Sequence, residues 1–451
     1  MEHQGKTPNR WLIVAGAILI QLALGAIYAW SVFTAKLTDA AGDYAFTASQ
    51  TAWVFSIGLA TFAIVMVLAG RLLPHTGPRR LTIAGGLMLG AGYVAGGFFG
   101  DQFWVQLLSI GIIGGAGIGL AYVVPIAVCV KWFPDKKGLI TGLAVAGFGF
   151  GATIWVKLAG SWFGGLINTT NVFGLPGVQS VFVIYGIAFT LLVLLGSVVM
   201  INPPEGYQPA GWVQPDPDDG AIEGSVDFET REMLRTPQFY MLWIVFVFTG
   251  IAGLMVIYCI KLFGIDALEY RGVVGAGAIT GTAMAWYAIF NGFGRIAWGS
   301  ISDRIGRKQA ITVMAALQGV TMLITYHVFV NFGSALGFIG AAALIGFNYG
   351  GSFALFPAMT ADYFGNRKVG SNYGWMFTAY GIAGLAGPLL AGYFKDSAQG
   401  ASQPSVWMAP FIIAGAVCLL GAVIMSLTKP PKRLSQGERP DARGNLAAEA
   451  T

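Results

Sequence analysis

Gly299-Ser-Ile-Ser-Asp303-Arg304-Ile-Gly306-Arg307-Lys-Gln309 lies between two long apolar runs, and a weaker copy, Gly70-Arg-Leu-Leu-Pro74-His-Thr-Gly77-Pro-Arg-Arg80, stands 229 residues earlier. Both glycine pairs, 70 with 299 and 77 with 306, keep that offset. A second pair of loops repeats nearly the same interval. Lys131-Trp-Phe-Pro-Asp-Lys-Lys137 and Asp362-Tyr-Phe-Gly-Asn-Arg-Lys368 align Phe133 with Phe364 and Lys137 with Lys368 at an offset of 231. Two loops at near-equal offsets mark a tandem duplication, and a period this long makes each copy a half of the molecule.

Working outward from the loops, apolar runs fall at 11–33, 50–73, 80–100, 104–130, 139–161 and 177–201, then at 238–264, 275–300, 309–331, 334–360, 369–394 and 405–427. Each has the length that carries a helix across a bilayer. The pattern predicts an all-α membrane protein of twelve transmembrane helices in two six-helix halves, 1–201 and 238–427. Between them, 202–237 carries Pro203, Pro204, Pro209, Pro215, Pro217 and eight acids, a composition for a cytoplasmic linker and not for hydrocarbon. The polar end, 428–451, reads as a disordered cytoplasmic tail. Composition agrees: of 451 residues 55% are hydrophobic and 10% charged, with a mean hydropathy of +0.67. Soluble chains carry about a quarter charged residues. The 65 glycines suit helices that must approach closely without a hydrophobic force between them. The first run is too long for a signal-peptide core.

The formal charge of +5 sits in short loops on one side of the spans, not in a patch, so nucleic acid is no expected partner. Lysine and arginine bias places both termini in the cytoplasm, and a plasma membrane, the inner membrane of a bacterium, is the expected location. Cys129, Cys259 and Cys418 lie singly in apolar runs, without disulfide or metal spacing. No metal cluster, nucleotide motif or central histidine appears, so neither a cofactor nor an enzyme is expected. A monomer in the lipid bilayer is the expected form.

One residue breaks the apolar rule. Met284-Ala-Trp-Tyr287-Ala-Ile-Phe-Asn291-Gly-Phe-Gly-Arg295-Ile-Ala-Trp298 holds a permanent cation inside a span. Arg295 lies about 12 Å inside Asp303 at 1.5 Å per helical residue, too deep to reach water easily. Tyr287, Asn291 and Arg295 recur every fourth residue and share a face. The position 229 residues before Arg295 is Met66, so the repeated fold does not demand the charge. A structural arginine bound to carbonyls of a neighbouring helix is one reading. Binding an anion is the favoured one, because the guanidinium fork matches a carboxylate and keeps its charge. Lys157 and Lys261 also lie in apolar runs, but towards outer ends from which long stems reach the surface.

The Gly-x-x-x-Asp-Arg-x-Gly-Arg-Lys loop, read with 131–137, Met233-Leu-Arg-Thr-Pro-Gln-Phe239, Phe290-Asn-Gly-Phe-Gly-Arg295 and Tyr349-Gly-Gly-Ser-Phe-Ala-Leu-Phe-Pro357, resembles the major facilitator superfamily. Within it the chain is similar to the oxalate/formate antiporter branch and its monocarboxylate-carrying neighbours. The resemblance covers all but the tail. It implies secondary transport by alternating access, with Gly299, Asp303, Arg304, Gly306 and Arg307 as a gating motif; the copy at 70–80 lacks the aspartate. It implies Arg295 as the substrate cation and Tyr28, Tyr122, Phe148, Tyr349 and Phe353 as cavity aromatics. A second cation of the oxalate exchanger aligns, through Asn372-Tyr-Gly, with the uncharged Tyr380. One guanidinium neutralises a monoanion and leaves half of a dianion unpaired, so lactate, pyruvate or formate is expected. Proton symport is the expected coupling, with Asn291 where related carriers place an aspartate and no carboxylate inside the bundle; anion exchange or carboxylate sensing are the alternatives.

Overall fold

The computed structural model describes residues 9–37, 44, 46, 48–160, 162–175, 177–209, 227–332, 334–397 and 404–431, and every regular element among them is helical. The middle of the linker and the tail beyond 431 lie outside the described residues. The first half contains α1 (Arg10–Leu24), α2 (Ala48–Thr76), α3 (Pro78–Phe99), α4 (Gly115–Trp132), α5 (Lys137–Gly160) and α6 (Gly177–Ser197). The second contains α7 (Pro237–Tyr270), α8 (Ala276–Ile305), α9 (Arg307–Phe332), α10 (Ala335–Phe364), α11 (Val369–Met376 with Thr378–Ser397) and α12 (Met408–Leu427). These are the twelve helices of two six-helix halves.

The spans differ from the apolar runs in local geometry. α1 passes through a 3-10 turn at Gly25–Ala29, where a Cβ on Gly25 would lie 2.0 Å from the Phe148 carbonyl oxygen of α5. A π-helical stretch, Leu107–Gly114, leads into α4, and α11 is interrupted at Phe377. α7 runs on to Tyr270, past the expected end at 264. Asp266 stands four residues before that end. It is buried within α7, where it accepts a 2.8 Å hydrogen bond from Trp407 Nε1. Among the described residues ten helical segments are long and apolar enough to cross a membrane.

α8 packs on α10 within its half and on α5 across the middle, and α2 packs on α4 and, across the middle, on α11. The pairs α3 with α6 and α9 with α12 close the two outer sides. The central seams are made by glycines. A Cβ on Gly299 would stand 2.2 Å from the Gly138 oxygen, and one on Gly70 would stand 2.4 Å from the Gly370 oxygen. Gly70 and Gly299 are counterparts under the duplication, and so are the helix-ending turns at Gly77 and Gly306, with φ of 77° and 87°, while Gly370 lies one residue past the counterpart of Gly138. Only glycine takes such angles without strain.

The seams end differently on the basic face. On the α5–α8 side, Asp303 accepts hydrogen bonds from the Gly138 and Leu139 N–H groups at 3.0 and 2.8 Å, capping a helix of the opposite half. Arg307 joins Asp303 at 2.6 Å and Asp362 at 3.0 Å, and Asp362 also holds Lys137 at 2.8 Å. On the α2–α11 side the position of Asp303 is taken by Pro74. There the end of the linker, which forms a short helix at Thr230–Met233, binds α11 instead. Thr230 donates to Asn372 Oδ1 at 2.8 Å and Asn372 Nδ2 donates to the Phe228 oxygen at 3.2 Å. Arg71, Pro74 and His75 face this segment across a cavity of about 470 Å³.

Candidate functional site

The spacing that puts Tyr287, Asn291 and Arg295 on one face turns that face of α8 into the centre of the molecule. Arg295 is fully buried. Its Nε donates to Asn291 Oδ1 at 3.2 Å, one turn away, and Asn291 Nδ2 donates to the Gly346 oxygen of α10 at 3.4 Å. Arg295 Nη1 donates to the Val145 oxygen of α5 at 2.9 Å. The structural reading of the arginine is therefore correct for part of the guanidinium. It does not account for Nη2, which is buried without a hydrogen-bond partner.

Aromatic rings enclose the cation. Its carbon lies 4.2 Å from the Phe353 ring centre and 5.3 Å from that of Phe148. Both are favourable cation–π distances, and they stabilise a charge taken out of water. Tyr122 packs edge-on against Phe148 at 5.5 Å, and its hydroxyl lies within hydrogen-bonding reach of the Arg295 guanidinium and has no other partner.

On the other side of the rings three phenols meet. Tyr28 is bonded to Tyr380 at 2.6 Å between hydroxyl oxygens, and Tyr349 lies 3.4 Å from Tyr28. Tyr28 packs on Phe148 at 5.1 Å, and Phe353 packs on Tyr349 and Tyr380 at 5.1 and 5.6 Å. Tyr287 donates its hydroxyl to the Gly253 oxygen of α7 at 3.1 Å and stacks obliquely on Tyr349. The arrangement has a cationic pole, phenyl walls and a hydroxyl pole.

All nine candidate residues meet in this one cluster. The motif residues Gly299, Asp303, Arg304, Gly306 and Arg307 lie apart from it on the basic face, where Arg304 is exposed. Lys157 is half-buried in the last turns of α5, and the Lys261 side chain lies outside the described residues. Two cage residues escape sequence reasoning. Phe62 of α2 packs on Tyr122 at 5.0 Å and Tyr380 at 5.9 Å, and Phe377, at the break in α11, stacks on Tyr380 at 4.8 Å. The duplication carries a signal for the first. Phe62 precedes Asn291 by 229 residues, as Tyr122 precedes Phe353 by 231, so pairs of equivalent positions line the cage.

The pattern of the Major Facilitator Superfamily matches residues 17–285 and again 275–449. An MFS-type transporter of Escherichia coli (strain K12), YhjX, is 30% identical over 377 residues, covering 84% of this chain and 86% of its own. The oxalate:formate antiporter of Oxalobacter formigenes is 29% identical over 392 residues, 86% and 85% of the two chains. The apicoplast pyruvate carrier 1 of Toxoplasma gondii is 24% identical over 448 residues, with 82% and 81% covered. Among solved structures, the proton:xylose symporter XylE superposes with a TM-score of 0.63 at 15% identity, over 92% of this chain and 95% of that one.

Proposed function

Because the chain belongs to the Major Facilitator Superfamily, we propose that it carries small monocarboxylates, of the size of lactate and pyruvate, across the membrane by alternating access. One observation carries the substrate class. Arg295 Nη2 and Tyr122 Oη are buried with no hydrogen-bond partner beyond each other, in a cage with a single formal charge. Buried donors are normally paired, and a carboxylate brings the acceptors both need. A dianion would leave one charge unpaired in a dry site, which costs several kcal/mol. The phenol cluster at the opposite pole suits a hydroxyl or keto group on the carbon beside the carboxylate.

With substrate bound, Arg295 is neutralised where it lies, and the halves rock about the seams. The basic face is the cytoplasmic one in this reading, and both termini belong there. The ion network of Lys137, Asp303, Arg307 and Asp362 then holds the cytoplasmic side shut while the site loads from the other side. Proton symport is the proposed coupling, and the relative named as a pyruvate carrier supports the substrate class alone. The oxalate:formate antiporter relative favours anion exchange as the second reading.

Uptake of L-lactate by purified protein in proteoliposomes tests both. Accumulation into empty vesicles under an inward proton gradient is the expected result. Uptake only against internal anion would establish exchange, and strong drive by internal oxalate would refute the monocarboxylate assignment.

A further inference from the structure

We infer that Tyr373, on the first segment of α11, is a third donor to the carboxylate and sets affinity for that group alone. The inference rests on the proposed carboxylate reading and adds a residue to it. Tyr373 is fully buried, its ring packs on Phe377 at 5.7 Å, and its hydroxyl has no hydrogen-bond partner. It lies within electrostatic reach of both Tyr122 and Arg295.

The backbone explains why it points there. A Cβ on the next residue, Gly374, would lie 2.9 Å from the Met66 oxygen, so α11 is pressed against α2 at this level. The preceding residue, Asn372, is gripped by the linker through Thr230 and Phe228. Successive residues on a helix are turned by about 100°. Holding Asn372 towards the linker therefore fixes Tyr373 towards the interior.

Three buried polar atoms of one cluster, Arg295 Nη2, Tyr122 Oη and Tyr373 Oη, thus have no hydrogen-bond partner outside it. All three can donate. Their shared need is an acceptor-only ligand with two oxygens, and a carboxylate is that ligand. Tyr28, Tyr349 and Tyr380 differ, because they are bonded among themselves and meet the remainder of the substrate.

The test measures dissociation constants of L-lactate, pyruvate and formate for wild type, Tyr373→Phe, Tyr380→Phe, Arg295→Lys and Arg295→Ala. Tyr373→Phe should weaken all three acids by about tenfold, the effect of one hydrogen bond to a charged group. Tyr380→Phe should weaken lactate and pyruvate and leave formate unchanged. Melting provides a second measurement. Deleting an orphaned hydroxyl should leave the ligand-free melting temperature equal or higher, while the rise produced by lactate shrinks. Unchanged affinities in Tyr373→Phe, beside a large loss in Arg295→Lys, would remove Tyr373 from the seat and keep the carboxylate reading. A loss confined to lactate and pyruvate would place it with the other phenols and overturn the inference. Wild-type binding in both Arg295→Lys and Arg295→Ala would sink the carboxylate reading itself.

Discussion

Arg295 is held at three points and open at a fourth. Val145 and Asn291 fix two of its N–H vectors, Phe353 and Phe148 cover its faces, and Nη2 is left for a ligand. A lysine cannot reproduce that geometry, since a point ammonium has neither the fork nor the plane. Arg295→Lys should therefore lose lactate counterflow by about a hundredfold or more, nearly as much as Arg295→Ala, given the strength of paired charge-assisted hydrogen bonds. Full transport by the lysine variant would show that the guanidinium geometry is dispensable. At this scale the sequence was legible where polarity and environment conflicted: a cation in an apolar run announces itself. Phe62, Phe377 and Tyr373 were hidden because an aromatic residue in an apolar run reads the same whether it packs in a core or lines a cavity. Nor could a sequence disclose that Nη1 would find the carbonyl of Val145.

The paired seams make two predictions at the level of helices. Asp303 caps α5 from the opposite half, so Asp303→Asn should weaken both the cap and the ion pair with Arg307. Hydrogen exchange of the Gly138 and Leu139 amides should accelerate by about tenfold, the effect of about 1–2 kcal/mol at a charged cap. The α2–α11 seam lacks the carboxylate. Pro74→Asp would restore one opposite the start of α11, and counterflow should slow while lactate affinity changes little; a rate equal to that of Pro74→Ala would refute the predicted clamp. The presence of each span was readable from apolar length alone. Its breaks were not, because the 3-10 turn at Gly25–Ala29 and the interruption at Phe377 depend on what the neighbouring helix presents. The approach of Gly25 to Phe148 is a tertiary contact with no local signature.

For the whole molecule, the duplication read from two loops reappears as matched glycine seams and matched left-handed turns. The halves nevertheless differ where transport is proposed to occur. Among the described residues α8, which brings Arg295 to the centre, is long enough but not apolar enough to span unaided. That shortfall has a consequence during synthesis. Leaving the translocon alone, α8 must carry an arginine into lipid at a cost of about 2.5–3.5 kcal/mol. Presented singly to microsomes, it should insert poorly, and Arg295→Leu should make insertion efficient; efficient insertion of the native segment would refute this. In the full chain α8 can enter only once earlier helices offer Phe148 and the Val145 carbonyl as a place to bury the charge. The nascent second half would then wait on the first, and a residue kept for substrate would also impose an order on biogenesis.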